Sequence, residues 1–335
     1  MRAGPGRAWW QRAFRAADDV FMDAATRVSG HRPTLIVLMF HGLFRNEAEA
    51  FCDHVDPYQP FTETDLRRVI EHFQGAGYQF VSPDRLSRGL RAAPKRVMLT
   101  FDDGYANNLR ALPLLRQYGV PATFFITAGN VASGEAFWWD VLHREMARRG
   151  IGRASAVTER QRLKAMPTYA IKNTLRAMFG NQALAPAGEA DRPLTPAEVR
   201  VLAAEPLATI GNHSTHHDLL TRIPREKAQR QIADCQTLLA EWTGEAPTVI
   251  AYPNGNCDDA IVRFSEDLGL RTGLTATPGR ARLPLAGAAR MQLPRFALVG
   301  GAQLARQLRA VEAPLSLSHL KNHFLHRRRQ QAAFR

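Results

Sequence analysis

The feature that most constrains the fold is a repeated alternation of short apolar segments with longer segments of helical periodicity. Thr34–Phe40 is a continuous apolar run, and residues 62–74 follow with helical spacing behind a Thr62 N-cap. The alternation continues through apolar runs that end at Phe101 and cover residues 122–126. Short apolar runs separated by helices are typical of parallel strands joined by crossover helices. The sequence therefore predicts an α/β fold, and an irregular (β/α) barrel of about seven parallel strands is our first choice.

The alternation breaks at about residues 130–192 and then resumes. This stretch has a mostly helical pattern, is rich in arginine, and carries the aromatic pair Trp138-Trp139 near its start. It closes in an Ala-, Pro- and Gly-rich run at residues 183–190, which we interpret as a flexible link. We predict a main domain of residues 34–300, with a helical insertion that covers one end of the barrel.

The two ends of the chain differ from this domain in composition. Residues 1–33 interleave aromatic residues with arginines in an amphipathic pattern, and residues 301–335 are expected to form a basic C-terminal helix or tail. Residues 1–33 do not match a secretory signal, and no stretch reaches the roughly 18 to 20 apolar residues of a membrane span. We therefore expect a cytoplasmic protein. Packing of the N-terminal segment on the domain is favoured, with peripheral contact at the inner, anionic face of a membrane as the alternative.

The net charge of +13 indicates an anionic partner but does not choose between nucleic acid, membrane and acidic glycan. No recognised nucleic-acid-binding module accompanies the charge, so we expect no nucleic acid partner. The three cysteines, Cys52, Cys235 and Cys257, have no metal-type spacing and do not match a disulfide framework. Their number weakly favours a reducing compartment.

Two predicted strands end in residues that carry chemistry. Phe101 is followed by two adjacent carboxylates, Asp102 and Asp103, which repel each other unless a cation or a proton lies nearby. A later strand leads to His213 and His217, whose spacing of four places both imidazoles on one face of a helical turn. That spacing suits two nitrogen ligands on one metal ion. Taken alone, a solvated turn and a solvated histidine loop remain alternatives.

Three motifs together resemble those of one family in both order and context. The motifs are Thr100-Phe-Asp-Asp-Gly104, His213-Ser-x-x-His217 and Tyr252-Pro-x-Gly255, and the family is the polysaccharide deacetylases, which are metal-dependent carbohydrate esterases of family four. The resemblance runs from about residue 35 to residue 298, apart from the insertion. It implies an irregular (β/α) barrel and removal of an N-acetyl group from an amino-sugar residue of a polysaccharide, oligosaccharide or glycolipid precursor.

The resemblance also implies a role for each motif residue. Asp103, His213 and His217 would bind a divalent metal, usually zinc in this family. Asp102 would be the general base that takes a proton from the attacking water. The backbone N–H at the Tyr252 position would stabilise the oxyanion, together with the metal.

Two common family features are missing from the sequence. Ile250-Ala251 fills the stretch where the family commonly has an arginine oriented toward the catalytic aspartate, and no Leu-x-His motif that would supply the general acid is recognisable. Arg295, at the end of a late predicted strand, is our candidate replacement for the arginine, with a surface arginine as the alternative. His41, at the end of the first strand, is our candidate general acid, with a structural histidine as the alternative.

The sequence therefore predicts a metal-dependent carbohydrate N-deacetylase. A related hydrolase that cuts another amide or an O-acetyl ester is one alternative, and a non-catalytic glycan-binding relative is another. The intact aspartates and histidines argue against loss of catalysis, whereas the missing arginine and Leu-x-His motif argue weakly for it. With the expected location, a cytoplasmic acceptor in surface-polysaccharide assembly fits better than mature cell wall.

Overall fold

The computed structural model describes residues 33–87, 95–285 and 287–313. Residues 1–32 and the basic tail beyond residue 313 lie outside this description, so the predictions for both ends are not addressed by it. The strands of the described chain are β1 (Thr34–Phe40), β2 (Gln79–Phe80), β3 (Lys95–Phe101), β4 (Ala122–Ile126), β5 (Ala208–Asn212), β6 (Val249–Ala251), β7 (Thr272–Leu274), β8 (Ala281–Arg282) and β9 (Phe296–Ala297).

The α-helices of the described chain lie mostly between successive strands. They are α1 (Glu47–Ala50), α2 (Glu63–Gly75), α3 (Pro83–Ser87), α4 (Ala111–Tyr118), α5 (Ala128–Ser133), α6 (Trp138–Arg148), α7 (Arg153–Leu163), α8 (Thr168–Phe179), α9 (Pro196–Ala203), α10 (Arg225–Thr243), α11 (Asp259–Asp267) and α12 (Leu304–Glu312). Within the three described ranges, no helix is both long enough and apolar enough to cross a membrane.

One sheet holds these strands in the order β7-β6-β5-β4-β3-β1-β8, with β2 beside β3 and β9 beside β1. Every pair is parallel except β1 with β8. The longest register joins β1 to β3, from Thr34 opposite Lys95 to Phe40 opposite Phe101. Both strands are almost fully buried, because a parallel sheet that is covered on both faces requires continuous apolar strands.

Residues 293–297 close the sheet into an irregular barrel. Leu293 forms a parallel bridge with Leu274 of β7, and β9 follows at once and pairs with Leu38 and Met39 of β1. This closing segment therefore links β7 to β1 across the gap between the two sides of the curled sheet. The predicted fold class, an α/β barrel of parallel strands with helical crossovers, is confirmed.

Side-chain N-caps mark the starts of several helices. Thr62 caps α2 and Thr195 caps α9, each through a capping box. A 3-10 turn over Ala106–Arg110 leads directly into α4. Residues 291–298, which include the late predicted strand that carries Arg295, are mostly irregular, and their strand pairs are the Leu293 bridge and β9.

Helices α6, α7 and α8 form the insertion and pack around a separate apolar cluster. Its fully buried members include Val141, Leu163 and Leu175. Asp140 joins this unit to the barrel. Its carboxylate accepts a hydrogen bond from the Tyr105 hydroxyl at 2.6 Å and one from the backbone N–H of Asp56 at 2.8 Å. The insertion is thus fixed beside the residues that follow β3.

The run at residues 183–190 is tied down by side chains, which corrects its interpretation as a flexible link. Buried Arg144 donates to two carbonyls at the start of the run, at 2.8 and 3.0 Å. Asp191 pairs with Arg144 and accepts hydrogen bonds from two backbone N–H groups of the run. Both anchoring side chains lie outside the run, so its own composition does not reveal them.

Candidate metal centre

The carboxyl ends of β1, β3 and β5 bring the predicted site residues together. His41 follows β1, Asp102 and Asp103 follow β3, and His213 follows β5. Parallel strands open onto the same edge of the sheet, and this edge is where α/β proteins place their ligand sites. Asp103, His213 and His217 each offer a ligand atom there, and these atoms lie within 4.8 Å of one another.

Asp103 has the surroundings of a metal-ligating carboxylate. Its Oδ1 lies 3.4 Å from Nε2 of His213 and 3.5 Å from Nε2 of His217. Atoms bound at about 2.0–2.1 Å to a tetrahedral ion are about 3.3 Å apart, so these spacings fit a shared ion. Within the described chain this buried oxygen accepts no hydrogen bond. Burial acts to raise the pKa of Asp103, but the neighbouring imidazoles lower this pKa by more than burial raises it. The pKa of Asp103 therefore lies below its ordinary value.

The backbone after β3 turns sharply through two left-handed residues. Asp103 has a φ of 74° and Gly104 a φ of 86°. Aspartate tolerates this region better than most side chains, and glycine adopts it freely. The Asp103 carbonyl accepts the Thr127 N–H at 3.1 Å, which fixes the turn against the end of β4. The sequence Asp-Asp-Gly therefore aims its second carboxylate toward the histidines.

His213 and His217 meet through a loop, so the predicted helical turn is wrong. Ser214 and His217 have left-handed φ values of 62° and 57°, which no helix contains. The His217 N–H donates to the Ser214 hydroxyl at 3.1 Å. Gln231 of α10 holds the loop residues between the two histidines, with its main-chain and side-chain carbonyls as acceptors at 2.8 to 3.0 Å.

Hydrogen bonding at His213 and burial at His217 favour rings with a nitrogen lone pair for a metal. Nδ1 of His213 contacts the Ala251 carbonyl at 2.7 Å, and a carbonyl only accepts, so Nε2 of the neutral ring is unprotonated. Burial lowers the pKa of His217 to about 3, which keeps that ring neutral. Burial opposes protonation of His213 as well, but the charge of Asp102 helps raise the pKa of this ring above its ordinary value.

Asp102 is paired with Arg295 through two parallel hydrogen bonds. Nη1 lies 2.7 Å from Oδ1 and Nη2 lies 2.8 Å from Oδ2, and both side chains are buried. The closing segment of the barrel carries Arg295, and Nε donates to the Thr275 carbonyl at 2.7 Å. Burial acts to raise the pKa of Asp102, but Arg295 helps bring it below the ordinary value. The structure places Arg295 in the site and not at the surface.

His41 lies near both site aspartates and is held by Gln59. The charge on His41 contributes to the lowered pKa of each aspartate. Gln59 donates its amide hydrogens to the carbonyls of Met39 and Leu298 at 2.8 and 2.6 Å, so its oxygen is the atom that contacts Nδ1 of His41. Nδ1 must therefore donate, and Nε2 is left for a different partner.

Tyr252 does not offer a free backbone donor, which corrects the prediction for this residue. Its N–H donates to the Leu274 carbonyl at 3.0 Å in the pairing of β6 with β7, and its ring is buried in the core. Asn254 has a left-handed φ of 53°, and its N–H meets no acceptor in the described chain. The motif alone does not indicate that Asn254 and not Tyr252 has the free N–H, because the pairing of β6 with β7 that occupies the Tyr252 N–H is not visible in the motif.

Two residues of the insertion border the site. The Trp139 ring lies 5.1 Å from the His217 ring in an edge-to-face contact, and Lys164 donates a hydrogen bond to the side chain of Asn254. Burial lowers the pKa of Lys164 to about 8, and its charge contributes to the low pKa of His217. The adjacent tryptophans stand out in the sequence, although the pattern assigns them no role in the site. No local signal distinguishes Lys164, which is one of 44 lysine and arginine residues.

Comparison with known proteins supports the motif-based resemblance. A family model described as polysaccharide deacetylase matches residues 90–273, which is more than half of the chain. The Bacillus subtilis (strain 168) protein YxkH, which carries a provisional polysaccharide deacetylase name, is 24% identical over 210 residues. The match covers 61% of this chain and 54% of YxkH, so the chain spans about half the length of that relative.

Solved structures share the fold at low sequence identity. The Streptococcus pyogenes deacetylase PplD, solved in complex with acetate, has a TM-score of 0.56 and 17% identity, and the match covers 84% of this chain and 99% of PplD. IcaB from Ammonifex degensii has a TM-score of 0.55 and 18% identity, over 84% of this chain and 98% of IcaB. Because the family model spans the strands that carry both aspartates and both histidines, we conclude that the chain belongs to the polysaccharide deacetylase family.

Proposed function

We propose that the protein is a metal-dependent N-deacetylase that hydrolyses the acetamide of an amino-sugar residue. The observation that carries the proposal is the buried cluster of Asp103, His213 and His217 next to the Asp102–Arg295 pair. Three protein ligands leave positions open for water and substrate, as catalytic sites require. A purely structural site would instead be closed by a fourth ligand.

Asp103, His213 and His217 would hold the ion. One carboxylate oxygen and two imidazole nitrogens suit zinc among the common divalent metals. A divalent ion bound there lowers the pKa of water and polarises the acetyl carbonyl. The buried Oδ1 of Asp103, which accepts no hydrogen bond from the described residues, supports this assignment because a cation would satisfy it.

Asp102 acts as the general base in this proposal. Its lowered pKa keeps it ionised at neutral pH, so a carboxylate oxygen accepts the proton of the attacking water as the new carbon–oxygen bond forms. Arg295 occupies one lone pair on each oxygen and fixes the plane of the carboxylate. A base with a low pKa is weak, but it is always in the correct protonation state.

His41 is the proposed proton donor to the leaving nitrogen. Gln59 anchors Nδ1, so Nε2 carries the mobile proton of the imidazolium. When the carbon–nitrogen bond breaks, Nε2 delivers that proton, and the products are acetate and a free amine. The backbone N–H of Asn254 replaces that of Tyr252 as our candidate oxyanion donor.

A substrate panel with released acetate as the readout tests this function. We expect release from an N-acetylhexosamine oligomer and much less from an O-acetyl ester or a simple acetamide. Release from the ester alone would favour the related hydrolase, and glycan binding without release would favour a non-catalytic relative. PplD was solved with acetate, the product expected here, which supports acetate as the readout.

His41→Gln tests the proposed proton donor separately from the metal site. This variant should keep its metal and lose about 10²- to 10⁴-fold in kcat, because the leaving amine then departs without a proton. His54→Gln is the matched control, because His54 makes no contact with the site residues in the described chain. Equal activity of the two variants would reject His41 as the acid.

A further inference from the structure

A cleft lies beside the candidate metal centre, between the insertion and the segment that follows α1. Its lining includes Asp56 and Tyr58 from that segment, Trp139 and His143 from α6, and Val157 and Arg160 from α7. None of these residues belongs to the three motifs of the resemblance. The insertion, and not the barrel, therefore supplies most of the cleft.

Tyr58 presents an aromatic surface to solvent in this cleft. Tyr58 is 65% exposed, which is high for a large aromatic residue. The Arg160 guanidinium carbon lies 5.1 Å from the centre of the ring, and Arg160 also pairs with Asp56. These contacts hold the ring in place from the protein side, so it offers a preformed surface to a ligand.

Trp139 connects the cleft to the metal centre. Its Nε1–H donates to the Tyr105 hydroxyl at 2.8 Å, and its ring stacks on Phe137 with 5.2 Å between ring centres. The same ring contacts the candidate metal ligand His217 edge to face. Trp139 is therefore a fixed platform that touches the centre at one edge and the cleft at another.

The chemistry of the lining fits a neutral sugar ring. A pyranose has a face of C–H groups that packs on aromatic rings and a rim of hydroxyls that needs both donors and acceptors. Tyr58 and Trp139 supply the aromatic surfaces, while Arg160 and Asp56 supply a donor and an acceptor. Because Arg160 and Asp56 neutralise each other, the pair does not favour an anionic ligand.

We propose that this cleft is a sugar-binding subsite for the residue next to the one that is deacetylated. The substrate is then an oligomer of at least two N-acetylhexosamine units and not a single sugar. This inference rests on the proposed function for the identity of the neighbouring sugar. The insertion thereby acts as the specificity element of the protein.

Chain-length dependence tests the subsite. Wild type should have a higher kcat/KM for the N-acetylglucosamine trimer than for the monomer. Tyr58→Ala should lower the value for the trimer by about fivefold to tenfold and leave the value for the monomer unchanged, because only the trimer reaches the ring. Tyr58→Phe should restore the trimer value, since it keeps the aromatic face.

Tyr169→Ala is the matched control. Tyr169 is 61% exposed and has Lys227 Nζ 5.5 Å from its ring centre, so it resembles Tyr58 but lies outside the cleft. The inference is overturned if the two alanine variants lose the same activity, or if monomer and trimer are hydrolysed equally well. Both outcomes leave the deacetylase function intact.

A binding measurement separates failure of the subsite from failure of the proposed function. Calorimetric titration of Asp102→Asn protein with the trimer, with and without Tyr58→Ala, needs no turnover. Weaker trimer binding with Tyr58→Ala supports the subsite even if wild type releases no acetate, and that result would reject the deacetylase alone. Unchanged trimer binding rejects the subsite whatever the activity.

Discussion

At the scale of single residues, the proposed reaction depends on a buried carboxylate, Asp102, that is paired with a buried cation, Arg295. Asp102 and Arg295 are 193 positions apart in the chain, and each is almost inaccessible to solvent. Removing one partner of a buried pair costs about 3–5 kcal/mol, because the other charge is left uncompensated. The pair therefore matters both for the ionisation of the proposed base and for the stability of the fold.

The pair makes stability depend on pH in a defined direction. The pKa of Asp102 is lower in the folded state than in the unfolded state. Its contribution to the free energy of unfolding is therefore fully present above its unfolded-state pKa of about 4. That contribution is lost as the pH falls through the folded-state pKa. Protonation then leaves Arg295 as a buried charge without a counter-ion.

Arg295→Met should move the acidic limb of the pH–rate profile to higher pH. Without the guanidinium, burial raises the pKa of Asp102 with less opposition, so less of the base is ionised at a given pH. The profile of kcat between about pH 4 and about pH 8 measures the shift. Arg295→Lys keeps the charge and should reverse part of it. An unchanged acidic limb in folded Arg295→Met would contradict the role of the pair.

The sequence was informative at this scale only where residues share a local motif. Asp102 and Asp103 are adjacent and His213 and His217 are four apart, so their types and spacing were enough to predict a cluster. Arg295 was a candidate only through its position at a strand end. Gln59 and Lys164 were not predicted, because each acts across the barrel and neither belongs to a motif.

At the scale of elements, the loop that carries the histidines is shaped by what packs on it. Gly129 of α5 donates its N–H to the Thr215 carbonyl at 2.8 Å. A Cβ at Gly129 would lie 2.4 Å from that oxygen and 2.5 Å from the His216 ring. Only glycine allows α5 to approach the loop this closely.

Gly129→Ala should destabilise the protein by about 1–3 kcal/mol and weaken metal binding. The added methyl group must push the loop away from α5 and so move His213 and His217. Gly75→Ala is the control, since nothing lies within 4 Å of its added Cβ, and it should be neutral or raise stability by up to about 1 kcal/mol. Thermal unfolding and zinc titration of both variants measure the difference. Equal metal affinity in the two would contradict the account.

Elements with a strong local signal were predicted best. The apolar runs of β1 and β3 and the capping threonines of α2 and α9 can be recognised from residues that are close together in the sequence. The helical turn at His213 was wrong because left-handed residues at Ser214 and His217 depend on contacts with α10. Spacing alone does not distinguish a helix from such a loop.

At the scale of the whole molecule, a bound metal should stabilise the fold. Ligand that binds only the folded state at 1,000 times its Kd adds about 4 kcal/mol, which raises Tm by several degrees. His217→Ala should lose this gain, whereas His216→Ala should keep it because His216 is outside the cluster. Differential scanning fluorimetry with zinc and with a chelator measures both. A chelator-insensitive Tm in wild type would argue against a metal centre.

The basic ends lead to a further prediction for the whole chain. Residues 1–33 carry interleaved arginines and aromatic residues, and contact with an anionic membrane face is the alternative to their packing on the domain. If this alternative holds, the full chain should co-sediment with anionic liposomes more than a chain without residues 1–33, and less at high salt. Equal sedimentation of the two proteins would reject membrane contact by this segment. The expected cytoplasmic location stays a prediction.

The contacts that fix the insertion against the barrel were not predictable from the sequence. Its position depends on Asp140 and Tyr105, and its cleft on Arg160 and Asp56, which lie 104 positions apart. Such long-range polar contacts leave no periodicity. A break in the strand–helix alternation located the insertion without showing that it borders the candidate metal centre.

The most direct test of the central claim is metal content and acetate release measured together, for wild type, Asp102→Asn and His213→Ala. We predict about one metal per chain and acetate release in wild type, since three ligands build a single open site. Asp102→Asn should keep the metal and lose turnover, and His213→Ala should lose both. A wild-type protein that binds no divalent metal, or an Asp102→Asn protein that still releases acetate at the wild-type rate, would contradict the account.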